Sequence, residues 1–196
     1  MNHNSGIKCA IRRGLAAAGL VALAFTSTAD PISALQANDG NSGVFASTTG
    51  GGHYLIGGSI DVEFAFAAKQ KNNGTANGHF RQSLIFQGEL VEFEGEVICV
   101  TVDSDNHRAW IGGVVTVNNS VHPSFTTAIH EPGKDVWFRV LDSGEGNNAE
   151  ADRSTFLGFE GAAGIITSEE YCEAMIWPDN NDRTSPVIEG NIQVRP

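Results

Sequence analysis

Between Val140 and Phe156 the chain reads "VLDSGEGNNAEADRSTF", and Asp142, Glu145, Asn147 and Asp152 fall there at intervals that can gather oxygen donors around a glycine-bearing bend. Calcium takes about six to eight oxygens from such side chains and from backbone carbonyls. These four residues are the calcium candidates of the sequence. The segment lacks the alternating Asp-x-Asn-x-Asp-Gly order that turns side chains inward in an EF-hand loop. Gly144 and Gly146 serve as well to let the chain leave a strand and bend, so a structural connection between strands is the preferred reading.

Glu92, Glu94 and Glu96 form the second constellation. In a strand they share one face with neighbours about 7 Å apart, within the roughly 5 to 9.5 Å that separates the paired carboxylates of glycosidases. Adjacent acids on a strand are also the ordinary composition of a solvated face, and no pocket signal surrounds them. His53 and His79 could make a two-histidine metal site if their strands pair. His130-Glu131 in "HEPGK" lacks the second histidine of a zinc protease helix, and Pro132 breaks such a helix. Ser59 in "GGSID" fails the nucleophile-elbow pattern, and "GEGNNA" has Ala149 where a dinucleotide fingerprint needs its third glycine. Catalytic residues are therefore not assigned. Asn73-Gly74-Thr75 and Asn118-Asn119-Ser120 match the glycosylation sequon.

The elements that must carry these residues are written in period two. In "SIDVEFAFAAK" Ile60, Val62, Phe64 and Phe66 alternate with Asp61, Glu63, Ala65 and Ala67, placing four apolar side chains on one strand face. Asn73-Gly74 and Asn77-Gly78 supply hairpin-turn sequence. Phe80, Leu84 and Phe86, then Val91, Phe93, Val97 and Cys99, continue the alternation. "RAWIGGVVTV" is apolar on both faces, which predicts a central strand. Val136, Phe138 and Val140 alternate with Trp137, Arg139 and Leu141. With "STFLGF" and "VIEGNIQV" there are roughly eight to ten strands, which predicts an all-β fold: one antiparallel β-sandwich or small β-barrel. One short helix is expected in "ITSEEYCEAM", where Thr167 stands three residues before Glu170 as in a capping box.

Lys8, Arg12 and Arg13 precede the apolar run "GLAAAGLVALAF", and Ser27 and Ala29 give a small-residue cleavage site. This predicts a secretory signal over residues 1–29, with a cut after Ala37 as second choice. The run is shorter than the roughly 20 residues that span a bilayer. Residues 30–48 lack periodicity and predict a flexible lead-in, leaving 49–196 as one domain. The expected location is secreted, periplasmic or at the cell surface, without membrane insertion once the leader is gone.

The chain carries 12 Lys+Arg against 23 Asp+Glu, a formal charge of -11. Loss of the leader leaves 9 basic against 23 acidic side chains, or -14. Such a surface repels polyphosphate, which excludes nucleic acid as the expected partner. Cys99 and Cys172 remain, an even count that predicts a disulfide in an exported chain.

The stretch "TGGGHYLIGGSIDVEFAFAAKQKNNGTANGHF", together with "AWIGGVVTV", "FRVLDSGEG" and "GNIQVRP", resembles exported bacterial β-domains of the post-COAP type. The resemblance spans most of residues 49–196 and rests on structural motifs. It implies an exported or surface-displayed domain with no established catalytic residues.

Together these readings lead to a non-catalytic binding or accessory module for an unknown extracellular ligand or protein. Trp110, Trp137, Trp177 and Tyr54 are its candidate contacts. The alternatives are a small β-barrel enzyme, an isomerase or lyase with an interior pocket, and a calcium-stabilised carbohydrate-binding domain.

Overall fold

The computed structural model describes residues 43–146, 148–177 and 181–196, all within the compact unit Asp39–Pro196. The signal segment 1–29 lies outside the described residues. So does most of the lead-in, but β1 (Val44–Ile56) begins inside it. This start of β1 is paired with β2, where Ala46 is buried, and from Ser47 onward also with β9, where Thr48 is buried.

After β1 come β2 (Ile60–Lys71), β3 (Ala76–Phe86), β4 (Glu89–Asp103) and β5 (Arg108–Asn118), each antiparallel to the strand before it. They are followed by β6 (Asp135–Leu141), the two-residue strands β7 (Arg153–Ser154) and β8 (Gly158–Phe159), the helix α1 (Ser168–Ala174) and β9 (Ser185–Arg195). The sheet order β5-β4-β3-β2-β1-β9-β7-β6 closes through pairing of β5 with β6. The all-β expectation holds, and the sheet is a ring. β8 adds to β6 beside β7. Closure removes the free sheet edges that would otherwise template aggregation.

The alternation in β2 buries Val62, Phe64, Phe66 and Ala68 on the inner face. They meet Phe80, Val91, Phe93, Ile111, Phe138 and Ile192 in one cluster that fills the ring. Aromatic contacts tie this core together, among them Phe66 edge-on to Phe138 at 5.3 Å. Asn73-Gly74 forms the β2–β3 turn, with Gly74 at a φ of 83°. Asn77-Gly78 does not turn: it pairs with Lys69 and Ala68 inside β3.

A register shift between Val97 and Cys99 reverses the facing of β4. Val97 and Val100 point inward, so Cys99 points out instead of continuing the inner row. There it meets Cys172 of α1 in a disulfide with a Cα–Cα distance of 6.3 Å. Thr167 caps the helix by accepting the Glu170 N–H, while the Glu170 carboxylate accepts the Ile166 N–H at 2.8 Å. The segment around α1 therefore lies outside the barrel, on the outer face of β5 and β6. Trp110, Trp137, Ile165 and Tyr171 form a second core there, which is why β5 reads apolar on both faces. Gly112 permits the close approach: a Cβ at that position would stand 2.5 Å from Cys99 Sγ and 2.8 Å from the Ser168 carbonyl oxygen.

Residues 119–134 connect β5 to β6 by way of two 3-10 turns, and Phe125 packs there on Phe86, Phe93 and Phe156. His130 lies against Phe93 and Phe159, and burial pushes its pKa below the ordinary value. The folded state therefore holds the proton less firmly than the unfolded chain. The stability tied to neutral His130 is whole above pH about 6.5 and is lost as pH falls from there through the folded pKa. Urea midpoints at pH 7.5 and 5.5 should fall more for the native chain than for His130→Leu. Equal falls would mean that His130 carries no part of the dependence.

Candidate functional site

Of the calcium candidates, Asp142, Glu145 and Asp152 are hydrogen-bonded to β9. β7 pairs with β9 only at Arg153–Pro186 and Ser154–Ser185, so the rest of that side of β9 lacks a partner strand. Asp152 Oδ2 accepts the Ile192 N–H at 2.7 Å and Asp142 Oδ2 accepts the Val194 N–H at 3.0 Å. Those two amides stand two residues apart on one edge of β9, and the carboxylates replace the carbonyls of a missing strand. The other oxygens are used locally, Asp152 Oδ1 by the Ser143 N–H and Asp142 Oδ1 by the Gly144 N–H. Glu145 accepts from Asn191 Nδ2 at 3.1 Å, and Asn147 lies outside the described residues. Burial outweighs these bonds at Asp152 and holds its pKa above the ordinary carboxylate value. No group of three His, Cys, Asp or Glu side chains among the described residues is placed to hold a metal. Chelation is expected to leave the melting temperature of the folded chain unchanged, and a fall of several degrees on adding EDTA would restore a structural calcium.

His53 and His79 do not meet. β2 lies between their strands, and the register sets His53 opposite Glu63 but His79 opposite Ala67. His53 instead belongs to an outward row of β9, β1, β2, β3 and β4: Glu189, His53, Glu63, Ser83 and Glu92. With Asp61 and Arg81 it lines an open groove of about 460 Å3. Its Nδ1 lies 2.9 Å from Asp61 Oδ1, and that hydrogen bond, with the charges of Asp61, Glu189 and Glu63, raises the imidazole pKa. Arg81 is bound by Glu92 and lies 3.6 Å from Glu94. The Glu92 pKa is lowered by the Asn119 amide first and by Arg81 second. Glu92 and Glu94 are thus structural partners of one arginine, and Glu96 is exposed. The polar groups of this groove largely satisfy one another.

A second groove, of about 230 Å3, opens between β8 and the helical cover. Its walls include Phe156, Trp137, Tyr171, Trp177 and Arg183. Trp137 and Tyr171 stack at 5.6 Å and are 3 % and 2 % exposed. Gly158 leaves room for the indole, since a Cβ there would sit 2.4 Å from Trp137 Nε1. Neither Trp137 Nε1–H nor the Tyr171 hydroxyl has a hydrogen-bond partner among the described residues. Three of the six non-glycine residues with positive φ, Ala163, Trp177 and Arg183, line this one groove. Such strain persists where surrounding structure enforces it and clusters at ligand clamps.

Behind the groove Arg139 is fully buried. It donates to the carbonyls of Ile176, Trp177 and Asp182, and its guanidinium carbon lies 5.5 Å from the Trp177 ring centre. Arg183 covers the same ring at 5.0 Å.

Of the four aromatic contact candidates, two are corrected. Tyr54 and Trp110 are fully buried core residues, Tyr54 donating to Gln82 Oε1 inside the barrel and Trp110 Nε1 donating to the Ile176 carbonyl beneath the cover. Trp137 and Trp177 reach the groove. Sequence reasoning missed Tyr171, Arg139 and Arg183. A signal existed for one of them: Arg139 shares the outward parity of β6 with Trp137, a mixture that fits a covered face better than a solvated one.

No protein-family model matches this chain. No curated protein and no solved structure matches it either.

Proposed function

We propose that the chain is an exported, non-catalytic binding module whose ligand seats in the groove between β8 and α1. The observation that carries this reading is the pair of donors, Trp137 N–H and Tyr171 O–H, which belong to largely buried side chains, have no acceptor among the described residues and still reach solvent. Both donors are open to water, and a ligand acceptor of matching geometry can take the place of that water. A groove that leaves two of them open is built to be completed by something from outside. An enzyme working in its interior would need space where Phe66, Phe93, Phe138 and their neighbours pack. Export is supported by the basic and apolar leader and by the disulfide, which persists in oxidising compartments. The resemblance to post-COAP-type domains points the same way.

Indole N–H resonances of the full chain test the site directly. Trp110 is held by the Ile176 carbonyl and serves as the internal control. A ligand found by screening extracellular glycans and peptides is expected to move the Trp137 indole signal, leave that of Trp110 in place and be recovered unchanged. Chemical conversion of the bound compound would end the non-catalytic reading.

A further inference from the structure

We infer that this groove takes one carboxylated sugar ring, a hexuronate residue of an acidic glycan. The inference rests on the binding-module reading and adds the chemistry of the ligand. Three side chains of the groove present donors without a hydrogen-bond partner among the described residues: the Trp137 indole N–H, the Tyr171 hydroxyl, which can also accept, and the Arg183 guanidinium, which lies over the Trp177 ring. Among the described residues, no aspartate or glutamate lines it. A ligand with acceptor oxygens matches this lining, and the Arg183 charge favours a negative one. Arginine selects among such ligands, since its planar fork matches a carboxylate with two parallel hydrogen bonds.

Size and walls narrow the class further. Drug-sized sites occupy about 300–1,000 Å3, and the groove has about 230 Å3, which suits a single ring. Phe156 and Trp177 give it apolar walls. A pyranose carries C–H groups on its faces and oxygens around its rim, so it offers apolar contact to the walls and acceptors to the donors together. The rest of the surface is strongly acidic, so a long polyanion gains nothing from spreading beyond the groove. Recognition is expected to be of one residue or a chain end. The groove on β1–β3 is the counter-case: Asp61, Glu63 and Glu189 line it, and it would repel the same ligand.

Calorimetric titration of the full chain with trigalacturonate, its methyl ester and maltotriose at one salt concentration tests this. The acid is expected to bind, and the ester and the neutral trisaccharide to bind at least about tenfold more weakly, the scale of one charge-assisted hydrogen-bond pair. Arg183→Gln, an exposed position, should bring the acid down to the level of the ester while the melting temperature stays put. Tyr171→Phe, which keeps the ring, should weaken it several-fold. Equal binding of all three sugars, or indifference to Arg183→Gln, would overturn the hexuronate assignment. If the Trp137 indole still moved in that case, the groove would stand as a binding site for another ligand class. Failure of every sugar and every screened compound to move that signal would sink the groove itself.

Discussion

Replacing Arg139 by alanine is expected to lower the unfolding free energy by roughly 2–4 kcal/mol, since each buried acceptor that loses its donor costs about 1–3 kcal/mol. Arg139 is 0 % exposed and stands on the outer face of β6. Its Nη1 donates to the carbonyls of Ile176 and Trp177, and its Nη2 to that of Asp182 at 2.6 Å. These carbonyls belong to the irregular chain after α1, where no ladder can satisfy them. Burial itself disfavours the charge and lowers the arginine pKa, but removing the side chain takes a donor from the Trp177 and Asp182 carbonyls, while Ile176 keeps the Trp110 indole N–H, and leaves a cavity. Folded domains are stable by only about 5–15 kcal/mol, so the loss takes a large share. Arg139→Met, which keeps most of the stem, should recover packing but not the hydrogen bonds, and should remain well below the native chain. Urea unfolding of the three proteins measures this. A loss under about 1 kcal/mol for Arg139→Ala would mean that aromatic packing alone seats the cover.

Loss of the Cys99–Cys172 bond is expected to cost roughly 2–4 kcal/mol. The two cysteines are 73 residues apart in sequence, and closing a loop of that size restricts the unfolded chain strongly in the chain-entropy view. The bond ties α1 to β4, while Ser168 anchors the same helix by its N–H to Asp135 Oδ1 at 2.9 Å and by its hydroxyl to the Gly113 carbonyl at 2.7 Å. Those bonds and the Trp137–Tyr171 stack keep the helix in place in the folded state. The double variant Cys99→Ala, Cys172→Ala should therefore fold to the same barrel with a lower urea midpoint. Amide exchange should quicken first in residues 168–174, ahead of the barrel strands. Uniform loss of protection across β2 and β3 as well would show that cover and barrel open as one unit.

These two expectations concern the part of the molecule that was least legible beforehand. Period-two writing in β2 placed Val62, Phe64 and Phe66 on one inner face because strand geometry alone fixes which side chains agree. The Thr167–Glu170 spacing located the helix start, since capping is a local hydrogen-bond requirement. The even cysteine count pointed to Cys99–Cys172. What failed were statements that need a second strand. The His53–His79 pair fell to the presence of β2 between their strands. The inward reading of Cys99 fell to a register shift, which depends on how β4 meets β5. Tyr54 and Trp110 were offered as contacts and proved to be core, because burial depends on what packs against a residue and not on its type.

The sequence by itself determined that the chain alternates into strands, where the Asn73-Gly74 turn and the helix start fall, and that it is strongly acidic. Each of these follows from side-chain chemistry within a few residues. Ring closure was decided only in three dimensions, by the pairing of β5 with β6 and by two aspartates completing the edge of β9. The groove was decided there too. Trp137, Tyr171 and Arg183 are separated by 34 and then 12 positions, and only the folding of the α1 segment across β6 brings their donors together, since hydrogen-bond supply and demand at one point in space has no signature along the chain.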